Sequence, residues 1–269
     1  MIGVGCMYKK IKSFYKENNK SSLIWYIVLR TLVIICMISQ IIHRNYKNVL
    51  LCFLTLILFT TPYFVNKKLK ITIPSTLEVI IYLFIFSAEI LGEIRNFYGS
   101  YPHWDTILHT LNGFLCAAVG FSLVDLLNRS EKSKLKLSPI YLTVVAFCFS
   151  MTIGVLWEFF EFGADTLLSK DMQKDRIVEK ISTVKLHPDG ENIPIIIDDI
   201  KYTIIYSGDE LIETKIENGY LDIGLIDTMK DLLVNFIGAV VFSIFGYLYI
   251  QNRDKYKFVE GFLPRKKRD

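Results

Sequence analysis

Asp105, His109 and Asn112 stand at the head of a long apolar run, in "WDTILHTLNGFLCAAVGFSLV", spaced i, i+4 and i+7. At 3.6 residues per turn they share one helical face. Ionisable groups inside a membrane segment are expensive and mark functional sites by default. Three further stretches repeat the pattern. "GVLWEFFEFGAD" carries Glu158, Glu161 and Asp165 at i, i+3 and i+7. "IDTMKDLLVNFIGA" carries Asp227, Asp231 and Asn235 at i, i+4 and i+8. "AEILGEIRNFY" carries Glu89 and Glu93 at i and i+4.

Carboxylates held close together in low dielectric raise one another's pKa, so they must share protons, pair with cations or bind a metal. Few basic groups stand near them in sequence: Arg95, Lys230, His103 and His109. One imidazole with several carboxylates suits a divalent ion such as Mg, Mn, Ca, Fe or Zn. The expected ligands are His109, Glu158, Asp227 and Asp231, with Glu161 or Asp105 as general base. Glu89, Glu93, Asn112, Asp165 and Asn235 complete the polar set. Neither the Glu-x-x-His spacing of di-metal bundles nor H-E-x-x-H occurs. Plainer readings stay open beside this one. Asp105 and Asp227 suit helix N-termini. Glu161 and Asp165 fit a wet interface, and Trp104 and Trp157 fit an aromatic belt. "DMQKD" (Asp171 to Asp175) echoes "DTMKD" (Asp227 to Asp231) and reads as a solvated loop.

These faces need helices to carry them. The 269 residues are 52% hydrophobic, and the mean hydropathy of +0.35 is that of a polytopic membrane protein rather than an ordinary soluble domain. Six apolar runs are long enough to span, roughly 22–42, 48–66, 73–94, 104–127, 139–163 and 225–250, against a need of about 20 residues each. The expected fold is therefore all-α and polytopic. Spans one to five occupy 22–163, an insertion 164–224 and the sixth span 225–250, between basic tails at 1–21 and 251–269. No small-residue cleavage site follows the lysines of the N-terminus, so the first run reads as a retained span.

Basic residues in short flanks set orientation. Both tails and the loops after the second and fourth spans hold nineteen, while the short loops opposite hold Arg44, Lys47 and Arg95. Both termini are therefore expected in the cytoplasm and the insertion outside, in a bacterial plasma membrane. The acid-bearing ends of spans three to six then lie at one level, the outer face, which charge counting fixed without using the acids. Gly113, Ala117, Gly120, Gly154, Gly238 and Ala239 would let the helices pack closely beneath it.

The insertion is rich in Ile, Val, Thr and Tyr, with turn chemistry at "HPDGEN" and "SGDE", and reads as a small antiparallel β unit. Ser138-Pro139 predicts the start of the fifth span. Ser75 with Glu78 predicts a capping box for the third, and Glu78 has Arg30 as a second partner. Cys6, Cys36, Cys52, Cys116 and Cys148 form no close pair and read as free thiols. The charge is spread over tails and loops, which gives no footprint for nucleic acid. No P-loop, dinucleotide fingerprint or nucleophile motif occurs.

"LGEIRNFY…WDTILHTLNGF", "WEFFEFGAD" and "DTMKDLLVNFIGA" resemble the signature blocks of the YjdF-like family of bacterial inner-membrane proteins and of the broader VanZ-like group, over roughly residues 85–250. The resemblance carries over Asp105, His109, Glu158, Glu161, Asp227, Asp231 and Asn235. For the VanZ-like group it implies a link to glycopeptide resistance. Three functions fit these residues: a metal-dependent enzyme on a lipid-linked or envelope substrate, a cation- or proton-coupled carrier, or a non-catalytic envelope or resistance factor. Below Asn112 and Asn235 the helices turn apolar, which favours a one-sided site over a carrier path.

Overall fold

The computed structural model describes residues 20–128, 136–208 and 211–266. Most basic residues used for orientation at the N-terminus, at 129–135 and at 267–269 lie outside the described residues, as do Cys6 and the Asp209-Glu210 half of the "SGDE" turn. The chain divides into two units. One is Met1–Ile153 with Val234–Asp269, the other Gly154–Leu233.

Among the described residues, five helices are long and apolar enough to cross a membrane: Ser21–Ile42, Tyr46–Leu69, Trp104–Asn128, Pro139–Leu168 and Leu225–Gln251. The first lies within α1 (Lys20–Ile42). The second is α2 (Tyr46–Leu58) followed by α3 (Thr61–Leu69), where Pro62 in the first turn restarts the helix. The third expected span is α4 (Ser75–Phe86) continued by a π-helix, Ser87–Ile94. Arg95 N–H reaches Ile90 C=O, a five-residue step. A short α5 (Phe97–Ser100) leads into α6 (Trp104–Asn128). Then come α7 (Pro139–Leu168) and α8 (Leu225–Gln251).

Two expected helix starts fare differently. Tyr141 N–H donates to Ser138 Oγ at 3.3 Å ahead of Pro139, as predicted. The capping box of α4 does not form. Pro74 takes the cap position and Ser75 becomes helical. Glu78 is instead buried and accepts from Tyr82 O–H at 2.9 Å, while Arg30 donates to Tyr26 O–H and lies across its ring. The cysteines among the described residues are free.

In the first unit, Leu29, Val33, Cys52, Phe59, Tyr82 and Ile90 form one core from α1, α2, α4 and the π-helix. Ala117, Ala118, Phe121, Leu142, Ala146, Ala239 and Phe242 form another from α6, α7 and α8. Val259 and Leu263 join that second core through a 3-10 helix, Lys257–Phe262. Beyond it β8 (Arg265–Lys266) pairs antiparallel with β1 (Ile71–Thr72). The stretch expected as a basic tail is thus partly folded, because Val259, Phe262 and Leu263 are apolar residues with a core to enter. This pairing also brings the basic loop after the second span and the C-terminal segment to the same end of the unit.

In the second unit, α7 runs on past Gly163 to Leu168, five residues beyond the expected boundary. One glycine costs a helix only about 1 kcal/mol, and Ala164 just beyond it is buried. Ser169 ends the helix with a φ of 49°. The insertion is a set of antiparallel pairs. β2 (Ile177–Val178) pairs with β7 (Tyr220–Leu221), β3 (Ile181–Thr183) with β4 (Ile195–Ile197), and β5 (Tyr202–Ser207) with β6 (Ile212–Glu217).

Candidate functional site

In the first unit the site is built on the first turns of α6. Asp105 sits in the first turn, and its Oδ1 lies 3.5 Å from His109 Nε2. The His109 side chain is 12% exposed, so little water screens the pair. One turn deeper, Asn112 Nδ2 donates to Asn235 Oδ1 at 3.2 Å, and Asn235 Nδ2 donates to Met151 Sδ at 3.6 Å. The two amides bind α6 to α8 across 123 residues of sequence.

That bond needs close backbones. A Cβ at Gly113 would lie 2.0 Å from Asn235 O, and one at Gly238 would lie 2.0 Å from Thr110 O. Ser150 Oγ adds a bond to Gly113 C=O at 2.7 Å. Small residues thus bring the helices together, as expected from membrane helix packing. Beneath the amide pair the unit is filled by Ala117, Phe121, Ala239 and Phe242.

In the second unit Glu158, Glu161, Asp227 and Asp231 are buried, and Asp231 is only 1% exposed. Glu161 accepts from Trp157 Nε1–H at 2.8 Å, so this tryptophan holds an acid. Asp165 and Asp227 anchor the loop that carries the "DMQKD" echo. Asp165 accepts from the N–H groups of Met172 (2.6 Å) and Gln173 (2.8 Å). Asp227 accepts from Lys174 N–H at 3.0 Å and faces the Arg176 guanidinium at 3.6 Å. Gln173 also donates to Thr228 Oγ. The loop is largely exposed, as expected, and it is also a clip joining the end of α7 to the start of α8.

The clip has a second pin that the sequence reading missed. Asp222 accepts from Arg176 N–H (2.7 Å), Ile226 N–H (2.9 Å) and Gly224 N–H (3.2 Å). An Asp two residues before a Gly, just ahead of an apolar run, was the available signal. Partial burial alone would raise the Asp222 pKa, but these donors and Arg176 hold its carboxyl below the ordinary range. Asp175 goes the other way. Burial raises it, and the charges of Asp171, Asp222 and Asp165 add to the rise.

A folded-state pKa held low gives stability that is present above the ordinary carboxylate pKa and lost as pH falls through the folded value. Asp222→Ala should therefore cost about 1–2 kcal/mol at neutral pH, as loss of a helix cap does. The gap to the wild type should close in acid below the ordinary Asp range of about 3.9. Denaturation curves at the two pH values check this; a gap independent of pH would contradict it.

Glu89 and Glu93 lie on the π-helix, Glu89 half-buried and Glu93 exposed. The structure thus joins Asp105 to His109 and Asn112 to Asn235 in one unit. It buries Glu158, Glu161, Asp227 and Asp231 in the other, ties Asp165 and Asp227 to the clip, and leaves Glu93 at the surface.

The chain belongs to the family described as "Predicted membrane protein (DUF2238)", whose model matches residues 24–252. A protein of Thermotoga maritima, described as an uncharacterised protein, is 27% identical over 108 residues, covering 40% of this chain and 54% of its own. The chain therefore spans about half the length of the curated relative it matches. No solved structure matches.

Proposed function

We propose that Asp105, His109 and Asp231 hold a divalent cation at the outer face of a bacterial plasma membrane, in a metal-dependent enzyme acting on a lipid-linked or envelope substrate. The observation that carries the reading is the Asn112–Asn235 bond. His109 stands one turn from Asn112 toward the start of α6, and Asp231 one turn from Asn235 toward the start of α8. An acid–imidazole–acid set suits Mn, Mg or Zn. A divalent charge would offset the cost of a buried Asp231 and the repulsion between acids.

A bound cation would lower the pKa of a held water toward neutrality. Glu161, oriented by Trp157, is the base that would take the proton, with Glu158 beside it on α7. Asp227 and Asp165 hold the clip in this reading. The likeness of residues 85–250 to the YjdF-like and VanZ-like proteins belongs to the same proposal. The apolar packing beneath the amide pair supports a one-sided site rather than a carrier's path. The experiment is a cation titration of the purified protein, in which Asp231→Asn should abolish binding.

The outer placement has its own test. In a cysteine-free background, a membrane-impermeant maleimide added to intact cells should label Ser182→Cys and spare Lys255→Cys. Labelling of both from outside would overturn the orientation.

A further inference from the structure

A cleft of about 280 Å³ opens in the first unit between α4 with its π continuation and α6. Ile80, Leu83 and Phe84 line one side, and Ile107, Leu108 and Leu111 the other. Polar lining occurs at one end only, where Ser87 and Trp104 stand. Along α4 the cleft covers seven residue steps, or about 10 Å at the helical rise. A volume of about 150 Å³ holds a benzene, so this cleft takes a slender chain about twice that size.

We infer that the cleft seats one acyl chain of a membrane phospholipid, with its head group at the Ser87–Trp104 end. The inference rests on the proposed function and narrows its substrate class to a lipid. Three observations converge on the chain. One wall of the cleft, α6, is long and apolar enough to cross the membrane in a protein of a membrane family, where acyl chains are the surrounding solvent. Its wall is aliphatic at the Ile80–Leu111 end, which suits a terminal methyl. Its other end carries a hydroxyl and an indole, the groups that sit at the level of lipid head groups. Asp105 follows Trp104 directly, and His109 is one turn further on, 3.5 Å from Asp105. A chain entering the cleft therefore brings its polar end to Ser87 and Trp104, at the end of α6 where Asp105 begins the neighbouring face.

The test uses the whole protein in nanodiscs of palmitoyl-oleoyl phosphatidylglycerol, with a phosphatidylcholine probe carrying a diazirine midway along one acyl chain. After illumination, adducts should concentrate on peptides bearing Leu83, Phe84 and Leu111. They should exceed adducts at the exposed belt residues Ile35 and Leu50 and should saturate with probe. Ser87→Phe or Leu83→Trp, which plug the cleft, should lower the cleft adducts about tenfold by steric exclusion. Adducts at Ile35 should stay unchanged in both variants, which reports that the protein is folded. Adducts spread evenly over the belt, or indifferent to both plugs, would mean annular lipid only and overturn the inference. The labelling is done in EDTA, so it does not depend on the cation. Failure of cation binding leaves this result standing, and failure here leaves cation binding standing.

Discussion

Gly113→Ala should destabilise the protein by about 3 kcal/mol, the upper end of ordinary overpacking. The new Cβ would fall 2.0 Å from Asn235 O, which is backbone and cannot rotate away. Either α6 or α8 must shift, and the Asn112–Asn235 bond is the first contact to break. Gly238→Ala should do the same against Thr110 O. Gly163→Ala is the contrast within the same protein. Nothing lies within 4 Å of its added Cβ, so it should be neutral or should stabilise by about 0.5–1 kcal/mol through helix propensity. Denaturation in mixed micelles measures all three. Equal effects at Gly113 and Gly163 would show that α6 and α8 are not in close backbone contact.

The second large effect concerns the coupling of His109 to Asp231. If both bind one cation, an ion at a hundred times its dissociation constant stabilises the wild type by about 2.7 kcal/mol. Asp231→Ala, with affinity down about a hundredfold, should retain only about 0.4 kcal/mol of that gain. Adding His109→Ala to Asp231→Ala should change little more, because residues sharing one ligand are non-additive. Two independently solvated helix ends would give small, additive effects and no response to the ion. The four proteins of this cycle, melted with and without Mn, separate the cases.

The sequence announced much of this architecture because a membrane makes its elements long and apolar. The limits of α6 and α8 follow the hydropathy, and the strands of the insertion follow runs of Ile, Thr and Tyr. The misses have physical causes. An α-helix and a π-helix present the same apolar run, so Ser87–Ile94 could not be told apart. Pro74 displaced Ser75 from the cap because a cap is decided by one residue's backbone angles. The C-terminal segment docks through Val259 and Leu263, too few apolar residues to outweigh the lysines and arginines around them by composition. The candidate site was legible as faces and not as neighbours. Helical spacing placed Asp105 with His109, and Asp231 with Asn235. It could not say that Asn112 would meet Asn235, which depends on Gly113 and Gly238 admitting the two backbones. Asp165 and Asp227 also hold the clip, a role that their side-chain type alone does not reveal. Their backbone donors, in the 171–176 segment, are visible only in three dimensions.

The most direct measurement is a titration of the purified, EDTA-stripped protein with Mn, followed by its electron paramagnetic resonance and checked by elemental analysis. One Mn bound per chain in the wild type, and none in Asp231→Asn or His109→Ala, is the predicted result. An unchanged free-Mn signal with the folded wild type, and no retained Mg or Zn by elemental analysis, would contradict the cation site.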